Sequence, residues 1–244
     1  MQILFQSMFK KIFIGLRKLS KSVRCIEGIM LTSRFESFNH FVFDLDGTLI
    51  NSLPVMSRAW EKVNEETGID IPFLKYKQFV GLPFDKILDA LKITEGRSEI
   101  RKLYFSTTSK LITEITVFDG ASRLLNWLGA EGGINVSIIT SKPHRNAEAV
   151  LQKLDLPYDI LIGGDELPFG KPHADPFLQA ESILGLSSSN RCNTIYFGDT
   201  LSDLVFALNS GIYSCHCDYG FYGPLPVRIR NKLITVNTLN EVLA

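Results

Sequence analysis

The chain has 244 residues, 45% apolar and 21% charged, the proportions of an ordinary globular protein with room for one large domain or a domain plus a subdomain. Its 26 basic and 26 acidic side chains balance overall, but six basic ones lie in residues 1–26, which hold no acid. The remaining 20 basic against 26 acidic groups lack the electrostatic footprint of a nucleic-acid binder.

The four cysteines, Cys25, Cys192, Cys215 and Cys217, are too few and too scattered for a disulfide framework, which fits a reducing cytoplasm. In residues 1–35, Phe5, Phe9, Ile12, Leu16, Leu19 and Val23 recur at helical spacing among Lys10, Lys11, Arg17 and Lys18. That pattern suits a membrane-surface helix or a transit-like segment. The basic pairs interrupt it too early for stable membrane insertion. Met30 offers an internal start, under which residues 1–35 form a basic, loosely attached extension.

From His40 onward, short apolar strands alternate with amphipathic helices. Strands are expected at 40–44, 135–140, 159–162, 193–197, 212–217 and 233–236, and helices at 120–128, 145–154, 176–184 and 202–209. Gly211 should stop the last helix. This alternation predicts an α/β fold, a Rossmann-like parallel sheet with helices on both faces. Residues 53–116 break it with helical signals at 54–67, 84–92 and 98–114, which predicts an inserted helical cap subdomain. The α/β core is then 36–52 plus 117–244. Cys215-His216-Cys217 lacks a second ligand pair at zinc spacing and reads as strand, so its thiols are expected to be buried.

Four of these strands run into polar groups. The first ends in Asp44-Leu45-Asp46-Gly47-Thr48-Leu49. Residues two apart in an extended chain share a side, so Asp44 and Asp46 enter one pocket, where a proton or a cation must relieve their repulsion. The second runs into Thr140-Ser141-Lys142-Pro143, the third precedes Gly170-Lys171-Pro172, and the fourth delivers Gly198-Asp199-Thr200-Leu201-Ser202-Asp203. Ligands of open α/β sheets bind at these strand ends. Asp44, Asp46, Asp199 and Asp203 are hard oxygen donors suited to Mg²⁺. With Thr140 as hydroxyl donor and Lys171 as cation around a carboxylate nucleophile, the set describes phosphoryl transfer. Gly164 to Lys171 is not a P-loop, because the glycine gap is one residue too long and Pro172 stands where Ser or Thr should ligate magnesium.

These four motifs resemble the haloacid dehalogenase-like superfamily, in its phosphoglycolate-phosphatase-like branch with a helical cap after the first strand. The resemblance implies that Asp44 is the nucleophile and forms an aspartyl-phosphate. Asp46 would be the general acid, then the base that activates water. Thr140 and the Ser141 backbone would hold the phosphoryl oxygens, and Lys171 would neutralise charge on Asp44 and the phosphoryl group. Mg²⁺ would be bound by Asp44, the Asp46 carbonyl oxygen and Asp199, supported by Asp203. Ser141 and Asn51 depart from the residues, Asn and Asp, that relatives often carry there.

Dehalogenases lack the second aspartate, so Asp46 favours phosphoryl over halide chemistry. The expectation is a Mg²⁺-dependent phosphomonoesterase, a cytoplasmic monomer or homodimer acting on a small phosphorylated metabolite, with phosphoglycolate or a sugar phosphate in view. The alternatives are a β-phosphoglucomutase-type phosphomutase and a non-catalytic binding module of the same fold. The mutases usually carry a histidine near the place of Met56. Arg58, Lys77 and Lys86 are nearby cations that could meet a substrate carboxylate, though surface positions suit them equally.

Overall fold

In the computed structural model, which describes residues 31–230 and 233–243, six parallel strands make one sheet. They are β1 (His40–Phe43), β4 (Asn135–Ile139), β5 (Ile160–Ile162), β6 (Thr194–Gly198), β7 (Tyr213–Cys217) and β8 (Ile234–Val236), in the order β5-β4-β1-β6-β7-β8. All six strands expected from sequence are present, with ends within one residue of the expected ones. Among the described residues no helix is long and apolar enough to cross a membrane.

Strand alternation divides the core between the two faces. Phe41 and Phe43 point to one side and stack on Phe197, at 6.2 and 4.9 Å between ring centroids. Leucines of α5 (Ala121–Ala130) and the apolar stripe of α6 (His144–Lys153) close over them. Val42, Ile139 and Tyr196 point to the other side, against α7 (Asp175–Ile183) and α8 (Leu201–Ser210). Gly211 ends α8 in the left-handed conformation, φ +71°, the role its position announces. Cys215 and Cys217 lie fully buried in the aromatic face of the core, and burial pushes both thiols up from their ordinary range.

The loosely attached extension expected over residues 1–35 ends sooner than that. Leu31 bridges Leu243, Thr32 N–H donates to the Val242 carbonyl at 2.9 Å, and Phe35 is fully buried, its ring 5.8 Å from that of Phe197. A phenylalanine that completes an aromatic stack belongs to the core whatever the charge of the residues before it. The amphipathic basic stretch at 5–24 lies outside the described residues.

Two short antiparallel strands, β2 (Ile50–Asn51) and β3 (Thr116–Val117), bracket the inserted segment. Between them run α1 (Leu53–Thr67), α2 (Phe73–Lys77), α3 (Phe84–Ala90) and α4 (Arg97–Lys110). These helices enclose an apolar cluster of their own around Trp60, Tyr76, Leu88 and Tyr104. The five-residue α2 and the two-residue strands escape a periodicity reading because each is shorter than the window over which such a pattern can be read.

His40 is a buried polar residue of β1, its Nε2 sharing a 2.9 Å hydrogen bond with Ser137 Oγ. Burial lowers its pKa from 6.5 to about 4, against the raising influence of Glu181 and Asp159. Between those two values the unfolded chain binds a proton that the folded chain refuses. Stability should therefore fall as pH drops from 6.5 towards 4, by up to about 3 kcal/mol from this residue. Urea unfolding of wild type and His40→Asn at pH 7.5 and 4.5 checks this: the variant should lose less on acidification, and equal losses would refute it.

Candidate active site

The chain leaves β1 one residue after Phe43, which pairs with Ile138 on one side and Phe197 on the other. Asp44 N–H donates to the Phe197 carbonyl at 2.8 Å, and Thr140 N–H to that of Ile162 at 3.0 Å. The sheet's hydrogen bonding thus delivers Asp44, Thr140 and Asp199 side by side at the carboxyl ends of its three central strands. This is the switch point where the strand order runs outward in both directions.

Asp44 is 2% exposed, and Lys171 Nζ lies 2.8 Å from its Oδ1. The same ammonium reaches Asp203 Oδ1 and the Tyr196 hydroxyl, each at 2.8 Å. The ammonium thus hydrogen-bonds Asp203 and Tyr196 and holds Asp44 by charge at close range. Asp203 sits in the first turn of α8, where its Oδ2 accepts from Thr200 N–H at 3.0 Å and Thr200 Oγ1 at 2.6 Å. That capping box locks the carboxylate that in turn holds Lys171. Burial pushes Asp44 up to about 7 although Lys171 draws it down. Burial likewise opposes ionisation of Asp203, but the lysine and the hydroxyls of Thr200 and Tyr196 hold it below its usual range.

Asp199 completes a three-carboxylate group with Asp44 and Asp203, one oxygen from each lying within 4.8 Å of the others. Its Oδ2 accepts the backbone N–H of Phe221 at 2.6 Å and of Tyr222 at 3.3 Å. Its buried Oδ1 has no partner among the described residues. Burial and the neighbouring Asp203 and Asp44 push its pKa well up. Three buried carboxylates against one lysine leave a negative excess, with an oxygen ready to coordinate. The donor set fits a hard divalent cation held by oxygen ligands.

Asp46 is handled differently. Its carboxylate is not part of that three-residue group, and Gly47, at φ +93°, turns the chain directly after it. Its Oδ1 accepts from Ser52 Oγ and its Oδ2 lies 3.0 Å from Lys142 Nζ. The sequence reading placed all four aspartates at one edge, and the fold brings all four there but aims Asp46 at its own cation. Ser52, Lys142, Tyr196 and Thr200 were missed as site residues. Lys142 stands inside the quoted Thr140–Pro143 motif, so the signal was present but unassigned. Tyr196 offered none, being one aromatic among several on buried strands.

Thr140 is 3% exposed, its Oγ1 accepting from Lys142 N–H at 3.1 Å. Ser141 turns its hydroxyl to the Gly81 carbonyl of the helical layer at 2.8 Å. Above the site opens a cavity walled below by Asp44, Asp46, Thr140, Ser141 and Lys142, and above by the inserted helices.

Glycines make this packing possible. A Cβ on Gly47 would fall 2.5 Å from the Asp199 carboxylate oxygens, and one on Gly220 would collide with Asp199 Cβ and the Gly47 carbonyl. Gly220→Ala should push Asp199 off its seat, costing about 1–3 kcal/mol as overpacking does. It should also weaken divalent-cation affinity by roughly tenfold, about one ligand's worth of misplacement. Calorimetric Mg²⁺ titration with a thermal melt tests this, and unchanged affinity would remove Gly220 from the account.

Comparison with known proteins gives a consistent result. The sequence profile of the haloacid dehalogenase-like hydrolases matches residues 41–217. A phosphoglycolate phosphatase of Pseudomonas fluorescens is 26% identical over 219 residues, covering 83% of this chain and 77% of its own. One from Rhodobacter capsulatus is 29% identical over 181 residues, covering 70% and 80%. Among solved structures, a haloacid dehalogenase-like hydrolase from Streptococcus pneumoniae superposes with a TM-score of 0.70 at 26% identity, over 84% of this chain and 97% of that one. A hydrolase from Pseudomonas syringae gives 0.71 at 22% identity over 84% and 95%, a likeness of fold alone.

Proposed function

This chain belongs to the haloacid dehalogenase-like hydrolases, and from that premise we propose that it is a metal-dependent phosphomonoesterase working through an aspartyl-phosphate on Asp44. The observation that carries the reading is the division of labour between two carboxylates two residues apart. Asp44 is held against Lys171, whereas Asp46 is held between Ser52 and Lys142.

In this reading Asp44 attacks the phosphorus and the bond to the leaving oxygen breaks. Asp46 gives its proton to that oxygen, so the alcohol departs neutral, and then takes a proton from the water that cleaves the acyl phosphate. Thr140 Oγ1 and the Ser141 backbone N–H orient the phosphoryl oxygens, the Ser141 hydroxyl being committed to Gly81. Lys171 balances charge on Asp44 throughout. A Mg²⁺ ion, when bound by Asp44, Asp199 and the Asp46 carbonyl oxygen with Asp203 in support, would neutralise the phosphoryl dianion.

The inserted residues 53–116 act as a cap whose underside receives the alcohol portion of the substrate. A bond across the seam, from Ser141 Oγ to Gly81, ties cap to core in a closed arrangement that shields an acyl phosphate from bulk water. The substrate is a small phosphorylated metabolite. Among the described residues the cap side of the cavity carries no histidine or carboxylate: Met56 lines it at the position where a mutase reading wants histidine, which favours transfer to water over transfer to a sugar.

The test is release of inorganic phosphate from a generic aryl phosphate. Activity should fall at least about a hundredfold on stripping with EDTA and return with Mg²⁺. Activity unaffected by chelation would defeat the metal-dependent reading, and none on any of a few dozen phosphorylated metabolites would defeat the enzyme.

A further inference from the structure

The cap wall of the cavity is apolar and aromatic. Met56 comes from α1, Tyr76 from α2, Leu82 from the loop before α3, Phe84 and Ile87 from α3, and Tyr104 from α4. The rings form a continuous surface, with Tyr76 to Tyr104 at 5.7 Å, Phe84 to Tyr104 at 4.8 Å and Phe84 to Phe105 at 5.0 Å between centroids. The phenol hydroxyls of Tyr76 and Tyr104 are the polar groups of that wall.

Among the described residues no cap cation lines the cavity. Arg58 pairs with Glu114, Lys86 with Asp89, Arg97 with Asp85 and Asp89, and Arg101 with Asp85, all outside the cavity. Lys77 does not line it either. Among the described lining residues the one cation is Lys142, already paired with Asp46 at 3.0 Å. A leaving group that carries a carboxylate or a second phosphate would lose its hydration against aromatic side chains, beside the charge of Asp46, with no cation to replace the water.

Building on the phosphomonoesterase reading, we propose that the leaving-group subsite selects phosphate esters of small neutral alcohols with an apolar or aromatic body, and rejects esters of alcohols that bear an anionic group. The apolar body packs against Leu82, Phe84 and Ile87, and the two phenols hydrogen-bond any neutral hydroxyl it carries. That preference departs from the substrate in the names of the phosphoglycolate phosphatases this chain is similar to.

The experiment compares kcat/KM of the full-length, Mg²⁺-loaded enzyme for benzyl phosphate and 2-phosphoglycolate, both primary-alkyl esters in which the leaving alcohol is of similar reactivity. Benzyl phosphate should be preferred by at least about a hundredfold, because the carboxylate of phosphoglycolate would be buried without a partner. Equal rates, or a preference for phosphoglycolate, would overturn the proposal while leaving the phosphatase intact. Hydrolysis of neither ester nor of an aryl phosphate would overturn both. Leu82→Lys, on a partly exposed loop, supplies the missing cation: it should shift the ratio at least about tenfold towards phosphoglycolate. A folded variant with an unchanged ratio would also count against the subsite.

Discussion

Asp44→Asn should abolish phosphate release, by at least about four orders of magnitude, while the protein remains folded. The amide oxygen cannot form the acyl phosphate, so the loss is of the nucleophile itself rather than of one contact to the transition state. Folding should survive because Asn fills the same volume and removes one of three crowded buried carboxylates, which burial already disfavours as an anion. Equal or higher urea resistance in the variant, alongside lost turnover, is the expected pair of results. Substantial residual turnover, within about a hundredfold of wild type, would show that another group attacks phosphorus. Trapping radiolabelled phosphate on wild type but not on the variant, after acid quench, gives the same answer without kinetics.

Lys171→Met should be the most destabilising single change at the site, at about 3–5 kcal/mol, the usual cost of removing one partner from a buried ion pair. The ammonium is 1% exposed at its side chain and serves Asp44, Asp203 and the Tyr196 hydroxyl together. Methionine matches the stem but leaves two carboxylates facing one another in the core with no counter-charge. In a chain of this length the melting temperature should drop on the order of 10 °C. Lys171→Arg should not rescue it fully, because a planar guanidinium cannot place one compact charge within 2.8 Å of all three oxygens. A melting temperature for Lys171→Met within a degree or two of wild type would show that the lysine contributes little to folding. Activity would fall with it, since Asp44 would lose the cation that balances its charge.

Much of this site was legible because its groups sit where backbone geometry is most constrained. Asp44 and Asp199 follow buried strands whose apolar runs can be read directly, and Asp203 follows a capping pattern one helical turn later. Lys171 and Thr140 were recoverable from their place after the intervening strands. The cation partner of Asp46 was not. Ser52 follows it by six residues and Lys142 comes from a loop nearly a hundred residues further on, and no local pattern encodes such a meeting. The boundary near residue 35 was misread for a related reason. Charge counting saw a basic head, but Phe35 was claimed by an aromatic stack with Phe197, far along the chain.

By itself the sequence determined the fold class, the sheet with its inserted helices, and the order in which the chemistry-bearing residues arrive at the strand ends. Those properties follow from hydrophobic periodicity and turn chemistry, which are local. Only the tertiary structure decided which charge answers which. The assignment of Lys171 to Asp44 and Asp203, of Lys142 to Asp46, and of Arg58, Arg97 and Arg101 to surface acids of the cap depends on distances of a few ångströms between separate segments. The character of the subsite was decided at that level too. Arg58, Lys77 and Lys86 looked available in sequence, and packing of the four inserted helices keeps them off the cavity wall and presents aromatic rings there instead, because burying unpaired charge costs far more than burying a ring.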